Sequence, residues 1–292
     1  MQNTVFHSLG GGLGNQLFEI FTTISYALKH NRDFMFPYEN KLPNCFIQYY
    51  RNTYWHNLLE SIIHHTTYIN TSYTNDFIKS IQHRYDEPKF TYDEIPNNEN
   101  EFLLLNGHFQ SYKYFEENYD KIYNLLKLDN KINDIKNQYN SYFQDNRHTI
   151  SMHFRLGDYK LKPNQHPILS LQYYEKSIQY ILHSRNIDNP IIFVFCEQED
   201  NYIIQKAITH LSSLFHNIEF KKINDKIEDW EQMLLMSCCN DNIIANSTFS
   251  WWGAYLNNHC DKIVTYPSLW FGIGNNTTLN DLMPNAWTMI EN

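Results

Sequence analysis

The 292 residues predict an α/β protein made of two units, each a parallel sheet with its helices. Two observations carry that expectation. Short apolar strands alternate with helical segments through most of the chain, the pattern of parallel sheets with crossover helices. Two of those strands also run straight into glycine-containing turns, as at the start of a strand-turn-helix unit.

The first unit, residues 1–147, opens with a strand over residues 4–9 and the turn Gly10-Gly11-Gly12-Leu13-Gly14. A helix follows in which Leu17, Phe21, Ile24 and Leu28 recur every three or four residues, predicting one apolar stripe. Residues 35–110 are aromatic and Asn-rich and give few periodic signals. Within them, Phe102-Leu103-Leu104-Leu105 reads as a buried strand ending at Asn106-Gly107. Residues 112–142 read as helix, and Gln144-Asp145-Asn146-Arg147 as a polar connector.

The second unit, residues 148–292, begins with a strand over 149–155, then a loop holding Pro163 and Pro167 and a helix near 170–184. Strands at 191–195, 218–220, 242–245 and 263–266 alternate with helices near 199–214, 228–238 and from Trp251 onward. A cleft between two units of about equal length is the expected architecture.

Composition narrows the function classes. Hydrophobic residues at 42% and charged residues at 19% allow a packed core and argue against disorder. A net charge of −9 gives no nucleic-acid footprint, while leaving room for a small basic pocket. The five cysteines (Cys45, Cys196, Cys238, Cys239 and Cys260) are odd in number and form no Cys-x-x-Cys pair, so reduced thiols are expected. The first residues lack a basic segment followed by an apolar run, and no stretch approaches the ~18 apolar residues of a membrane span. A cytoplasmic protein without an integral membrane segment is the expectation. No Asp-x-Asp pair occurs, and the adjacent His64-His65 cannot share a helical face, so no metal is expected. The Gly-x-Ser-x-Gly elbow of a hydrolase is absent too.

Three segments carry candidate chemistry. In the strand from about His148, Ile150, Met152 and Phe154 point to one face while Ser151, His153 and Arg155 point to the other. An imidazole and a guanidinium thus reach the strand's carboxyl end together, Gly157 permits a sharp turn, and Asp158 adds a carboxylate. Ligands of open α/β sheets bind outside strand carboxyl ends, and a guanidinium suits bidentate contact with phosphate. The alternative is an Arg155–Asp158 salt bridge with His153 buried and hydrogen-bonded.

The turn Gly10 to Gly14 could cradle a phosphate, with Asn15 and Gln16 polar at the helix start. It falls short of a dinucleotide fingerprint, because Asn15 holds the third glycine position and no clear acidic residue closes a second strand. A tight turn without ligand is the other reading. In the third segment a strand ends at Ala245, and Asn246-Ser247-Thr248 can cap the next helix beside an anion pocket. Phe249 could stack on a base, while Trp251 and Tyr255 are expected in the core.

Together, Gly11-Gly12-Leu13-Gly14-Asn15-Gln16-Leu17-Phe18, His153-x-Arg155-x-Gly157-Asp158-Tyr159 and Asn246-Ser247-Thr248-Phe249-Ser250-Trp251-Trp252-Gly253 resemble the α-1,2-fucosyltransferases in order and spacing. The resemblance spans nearly the whole chain. It implies a GT-B fold of two Rossmann-like domains whose parallel sheets face a cleft. It further implies GDP-fucose as co-substrate with no other cofactor, inversion, no required metal, and a glycan acceptor ending in galactose.

Carried over by position, Arg155 would hold the diphosphate and stabilise the leaving charge, with His153 supporting the donor. Asn246, Ser247, Thr248 and Phe249 would complete the donor pocket, and Gly12, Gly14, Asn15 and Gln16 would face the cleft from the first domain. Asp158 is the candidate base, or else it orients Arg155. Where many relatives carry Ser-Asp-Asp, this chain has Cys196-Glu197-Gln198, which leaves Glu197 as a carboxylate near the nucleotide. Gln232 likewise stands where Asp is frequent. Rival readings are a catalytically silent glycan-binding protein on the same scaffold and, from the glycines alone, a nucleotide-dependent oxidoreductase.

Overall fold

A computed structural model describes residues 3–43, 50–272 and 279–292. Cys45 lies outside them, and Cys196, Cys238, Cys239 and Cys260 are free thiols. Among the described residues no helix is long and apolar enough to cross a membrane. The chain divides into two compact units, Met1–Lys131 with Thr277–Pro284, and Ile132–Asn276 with Asn285–Asn292.

The first unit contains β1 (Thr4–His7), α1 (Leu13–Lys29), β2 (Asp33–Met35), the antiparallel pair β3 (Lys41–Pro43) and β4 (Tyr50–Asn52), α2 (Asn75–Ser80), β5 (Arg84–Asp86), β6 (Phe102–Asn106) and α3 (Tyr119–Leu125). Its main sheet is parallel throughout, in the order β2-β1-β6-β5. Strand order turns back between β1 and β6, so their carboxyl ends flank a topological switch point, the place where open sheets take ligands. Two of these strands, β2 and β5, have three residues each, too few for a period-2 pattern to stand out in the sequence.

The single apolar stripe expected of α1 is corrected. The helix is buried nearly all round, with Gln16, Glu19, Thr22, Thr23 and Ser25 as covered as Phe18 and Ile24. Phe115 packs edge-on against Phe21 at 5.3 Å between ring centroids and lies 6.0 Å from Phe18, so the helix is roofed on the side away from the sheet. Leu28 sits in the last turn beyond that roof and is 43% exposed.

The long helix expected over 112–142 is also broken. Short 3-10 turns precede α3, and α4 (Leu128–Gln138) starts only after Lys127, whose φ of 54° is left-handed. Leu126 and Leu128 are both buried; two residues apart on a continuous helix they would face nearly opposite sides. The left-handed residue resolves that conflict by reversing the chain between them.

The second unit runs β7 (Thr149–His153), α5 (Leu171–Arg185), β8 (Ile191–Phe195), α6 (Asn201–Leu214), β9 (Glu219–Lys222), α7 (Asp229–Ser237), β10 (Asp241–Ile243), α8 (Thr248–Tyr255), β11 (Val264–Pro267) and β12 (Thr288–Ile290). Its six strands are parallel in the order β12-β11-β10-β7-β8-β9. The chain fills one side through β8 and β9, then returns to the other side of β7 with β10, so the switch point lies between β7 and β10. The α/β class and the two parallel-sheet units expected from the sequence are both present.

Alternation along β7 divides its two faces as expected. Ile150, Met152 and Phe154 join Ile192, Val194, Tyr174, Ile178 and Ile208 in one apolar core. On the opposite face Ser151 Oγ accepts from Asn242 Nδ2 at 2.6 Å, and the same amide reaches Met236 O at 2.9 Å. Trp251, Trp252 and Gly253 of α8 are buried; a Cβ on Gly253 would meet the Met236 side chain at 2.8 Å, which holds α8 tight against α7.

Asp241, fully buried at the start of β10, anchors this unit. It meets His148 Nε2 at 2.6 Å and Arg185 at 2.6 and 3.0 Å, and accepts from Ile263 N at 2.6 Å. Burial alone would push its carboxyl up, but His148, Arg185 and the Ile263 N–H hold it below the ordinary range. A depressed folded value means this stabilisation is complete above the unfolded carboxylate value of about 3.9 and is lost as pH falls through the folded one. Asp241→Asn is expected to lower unfolding free energy by roughly 3 kcal/mol at pH 7 and by clearly less near pH 3. Urea denaturation of both proteins at the two pH values checks this; an equal difference at both would contradict the ion-pair account.

Candidate functional site

Strand β7 ends at His153, and the next residues reverse direction over the switch point. Phe154 N still donates to Phe195 O at 2.9 Å, so the ladder carries the backbone firmly up to Arg155. The reversal is then fixed by one buried carboxylate. Asp200, fully buried, accepts from Gly157 N at 2.8 Å and pairs with Lys160 Nζ at 2.5 Å. Gly157 has a φ of +32°, a conformation that favours glycine, and a Cβ there would push aside the flexible end of the Glu197 side chain.

The guanidinium of Arg155 is held on two edges. One terminal nitrogen donates to Glu197 Oε1 and the other to Asp158 Oδ1. Its Cζ lies 5.0 Å from the centroid of the Tyr159 ring, a cation–π distance. Tyr159 is itself stacked on His166 at 4.5 Å and 20°. The salt-bridged arrangement of Arg155 and Asp158 read as one alternative from sequence is therefore the one observed, with Glu197 added. One cation faces two carboxylates, so an anion can enter only by displacing at least one of them. Their side chains are 30% and 38% exposed, with solvent available to receive them.

His153 is not a second cation. Burial, reinforced by Arg155, pushes its imidazole down to about 3, so it is neutral at physiological pH. Its Nδ1 is buried without a hydrogen-bond partner, and its ring lies 5.5 Å from that of Phe249. The carboxyl ends of β7 and β10 are tied by Tyr159, whose hydroxyl donates to Asn246 O at 3.0 Å. The Asn246 amide nitrogen donates to Pro167 O at 2.9 Å and Trp270 O at 3.3 Å, leaving its buried Oδ1 without a partner.

Ser247 occupies the N-cap position of α8, but no side-chain capping bond forms there, contrary to the expectation for residues 246–248. Ser250 Oγ instead accepts from Ala245 N at 3.2 Å and draws the chain inward at that point. Thr248 and Phe249 open the helix and are half-buried. Trp251 stacks on Tyr255 at 4.5 Å and 15°, as core residues rather than ligand platforms. Thus His153, Arg155, Asp158 and Glu197 gather with Asn246, Ser247, Thr248 and Phe249 at one switch point.

The glycine turn belongs to the first unit. Gly11, at φ +70°, is left-handed, while a Cβ on Gly12 would meet nothing within 4 Å. Gly14 is buried in the first turn of α1. Asn15 Oδ1 accepts from Gln110 Nε2 at 3.0 Å. The buried Gln16 donates to Gly11 O at 3.1 Å and Asn52 O at 2.9 Å, with its Oε1 left over. Both polar residues hold local structure.

Sequence reasoning missed several partners. Lys160, His166 and Asp200 support the Arg155 turn from loop and 3-10 positions, where no periodicity marks them. In the first unit the buried Glu19 accepts from Gly10 N at 2.8 Å and meets His108 Nδ1 at 2.7 Å. The available signal was a histidine directly after the strand-ending Asn106-Gly107. Cys196 precedes Glu197, and burial pushes its thiol up to about 11, away from the thiolate form. Among the described residues no group of three His, Cys, Asp or Glu side chains is placed to hold a metal ion.

Comparison with known proteins bears on this arrangement. The family model described as glycosyl transferase family 11 matches residues 8–270. An O-antigen biosynthesis glycosyltransferase of Escherichia coli, WbnK, is 31% identical over 220 residues, covering 68% of this chain and 66% of the relative. An α-1,2-colitosyltransferase of Escherichia coli is 32% identical over 196 residues, covering 63% and 61%. The matches thus span just under two thirds of each relative's own length. Among solved structures, Arabidopsis thaliana FUT1 in complex with GDP shares 10% identity and a TM-score of 0.49, over 91% of this chain and 70% of that one. On a family match that runs through all three motif segments, the chain belongs to glycosyl transferase family 11.

Proposed function

We propose that the protein transfers L-fucose from GDP-fucose, with inversion and without a metal, to the 2-hydroxyl of a terminal galactose. The observation that carries this reading is Arg155 at the β7–β10 switch point, with the segment 246–249 tied beside it through Tyr159. The chemistry follows from the charges. Breaking the bond between the sugar's anomeric carbon and the β-phosphate leaves an extra negative charge on GDP. Arg155, freed from Glu197 as the diphosphate arrives and still held by Asp158, would meet that charge with charge-assisted N–H donors. The neutral His153 would lend steric support and a polar nitrogen without adding charge. Asp158 would aim the guanidinium, since it contacts Arg155 from three residues away.

A second donor sugar is favoured by one finding: a relative of 32% identity is named for colitosyl transfer in an α-1,2 linkage. The nucleotide contacts assigned to Arg155 serve either sugar. A glycan-binding protein without turnover is the rival class.

Release of GDP from GDP-fucose, measured with EDTA present against a panel of β-galactosides, tests the proposal. Acceptor-dependent release is expected; absence of release with both fucosyl and colitosyl donors would contradict transfer. Arg155→Ala is expected to lower turnover by about two orders of magnitude or more, the scale of a lost transition-state donor. A near-normal rate would remove Arg155 from its role. Asp158→Asn is expected to weaken GDP binding together with kcat/KM. Loss of transfer with GDP affinity unchanged would make Asp158 the base instead.

A further inference from the structure

Beyond the carboxyl end of β2, the first unit holds a group of aromatic rings that the Arg155 site does not use. Phe36 and Thr66 form an isolated parallel bridge there. Phe36 N donates to His65 O at 2.9 Å, and Phe36 O accepts from Thr67 N at 3.1 Å. Two residues further along each segment stand Tyr38 and Tyr68. Paired segments run about 4.8 Å apart, so rings at matched positions come within stacking distance. The two tyrosines stack at 4.5 Å between centroids and 25° between planes. His56 makes edge contacts with both, at 5.9 Å from Tyr38 and 5.7 Å from Tyr68.

The stack is held from behind. Tyr38 N donates to Thr67 Oγ1 at 2.8 Å, and that hydroxyl donates to Asn75 Oδ1 at 2.6 Å. Asn75 Nδ2 returns to Tyr38 O at 2.9 Å. This closed circuit fixes the backbone of Tyr38 against the segment that carries Tyr68. The Tyr38 hydroxyl donates to Asn40 Oδ1 at 2.6 Å and lies 2.8 Å from His56 Nε2. Tyr68 and Ile69 are nevertheless 53% exposed each. With one face of Tyr68 against Tyr38, the open area is its other face and its rim. Single exposed apolar residues are ordinary, but neighbouring ones on a preorganised stack form a surface shaped for a ligand.

The ligand's chemistry follows from shape and charge. A pyranose has a face of C–H groups and a rim of hydroxyls, which suits an open aromatic ring bordered by polar groups. Here the border is Asn40 and His56, whose amide and imidazole can exchange hydrogen bonds with hydroxyls. Lys79, from α2, is paired at 3.8 Å with Glu39, the residue after Tyr38, so the pair adds no net charge. That balance favours a neutral sugar over an anionic one. Membership of glycosyl transferase family 11 makes glycans the molecules such a surface would meet.

We propose that Tyr68, backed by Tyr38 and bordered by His56 and Asn40, is a carbohydrate-binding platform that stacks a neutral hexopyranose of a glycan. All of these residues lie within the first unit. Binding there requires neither donor nor turnover, so the inference goes beyond the transferase reading and fails separately from it.

Saturation-transfer-difference NMR of the full chain with methyl β-D-galactopyranoside, without nucleotide, is the test. In the wild-type protein, transfer is expected to be strongest at the C–H protons on one face of the sugar. Tyr68→Leu keeps apolar bulk but removes the ring, and should weaken binding roughly tenfold or more. Tyr68→Phe keeps the ring and should bind within about twofold of wild type. Should the leucine variant fail to fold, Tyr68→Ala carries the same expectation. Unchanged affinity in the ring-deleted protein, or wild-type protein that takes up no sugar, would overturn the inference and leave the transferase reading intact. Self-association that depends on Tyr68, seen by sedimentation velocity without sugar binding, would overturn it in favour of a contact between copies. Sugar binding that depends on Tyr68 in a protein that never releases GDP would support the platform and contradict only the transferase reading.

Discussion

A half-buried guanidinium at the end of a parallel strand has to be compensated, and the second unit is organised around that requirement. Arg155 cannot remain alone in a partly desolvated turn, because an uncompensated buried charge costs several kilocalories per mole. The chain supplies Asp158 from the same turn and Glu197 from the end of β8. Gly157 takes the positive φ of the turn and leaves room beside it for the Glu197 carboxylate. Asp200 then fixes Gly157 from below through its backbone N–H. A charge requirement thus becomes a backbone geometry, and the geometry holds Tyr159 where it can reach β10.

Parallel topology explains why the motifs converge. Residues 153–159 and 246–249 are far apart in sequence, but β7 and β10 are neighbours on either side of the switch point. Both loops therefore rise from adjacent carboxyl ends. The first unit repeats the logic with β1 and β6, which bring the glycine turn and His108 together although about a hundred residues separate them. In each unit a buried carboxylate fixes the turn after a strand end, Asp200 through Gly157 N and Lys160 in one and Glu19 through Gly10 N and His108 in the other.

Much of this was legible before any coordinates. β8 is a continuous apolar run of five residues, and the alternation at Ile150 to Arg155 correctly assigned the two faces of β7, whereas the three-residue β12 was not expected. Residues 35–110 resisted reading because β3, β4 and β5 have three residues each, too few for a period-2 pattern. The break at Lys127 was hidden because nothing about a lysine announces a left-handed conformation. The polar residues inside α1 obscured its burial, which depends on Phe115 closing over it. At the site, the residue types were visible and their pairing was not. Only the fold shows that Glu197 reaches Arg155, that His153 is buried to neutrality, and that Glu19 faces His108.

The central proposal is that Arg155 exchanges Glu197 for the phosphates of a guanine nucleotide, with Asp158 still aiming it and without help from a metal. Calorimetric titration of GDP into the wild-type protein and Arg155→Ala, with EDTA present, tests it most directly. The account predicts one site per chain and an affinity at least tenfold weaker in the variant, about 1.4 kcal/mol or more. Equal affinities, or a wild-type protein that does not bind GDP until a divalent cation is restored, would contradict it.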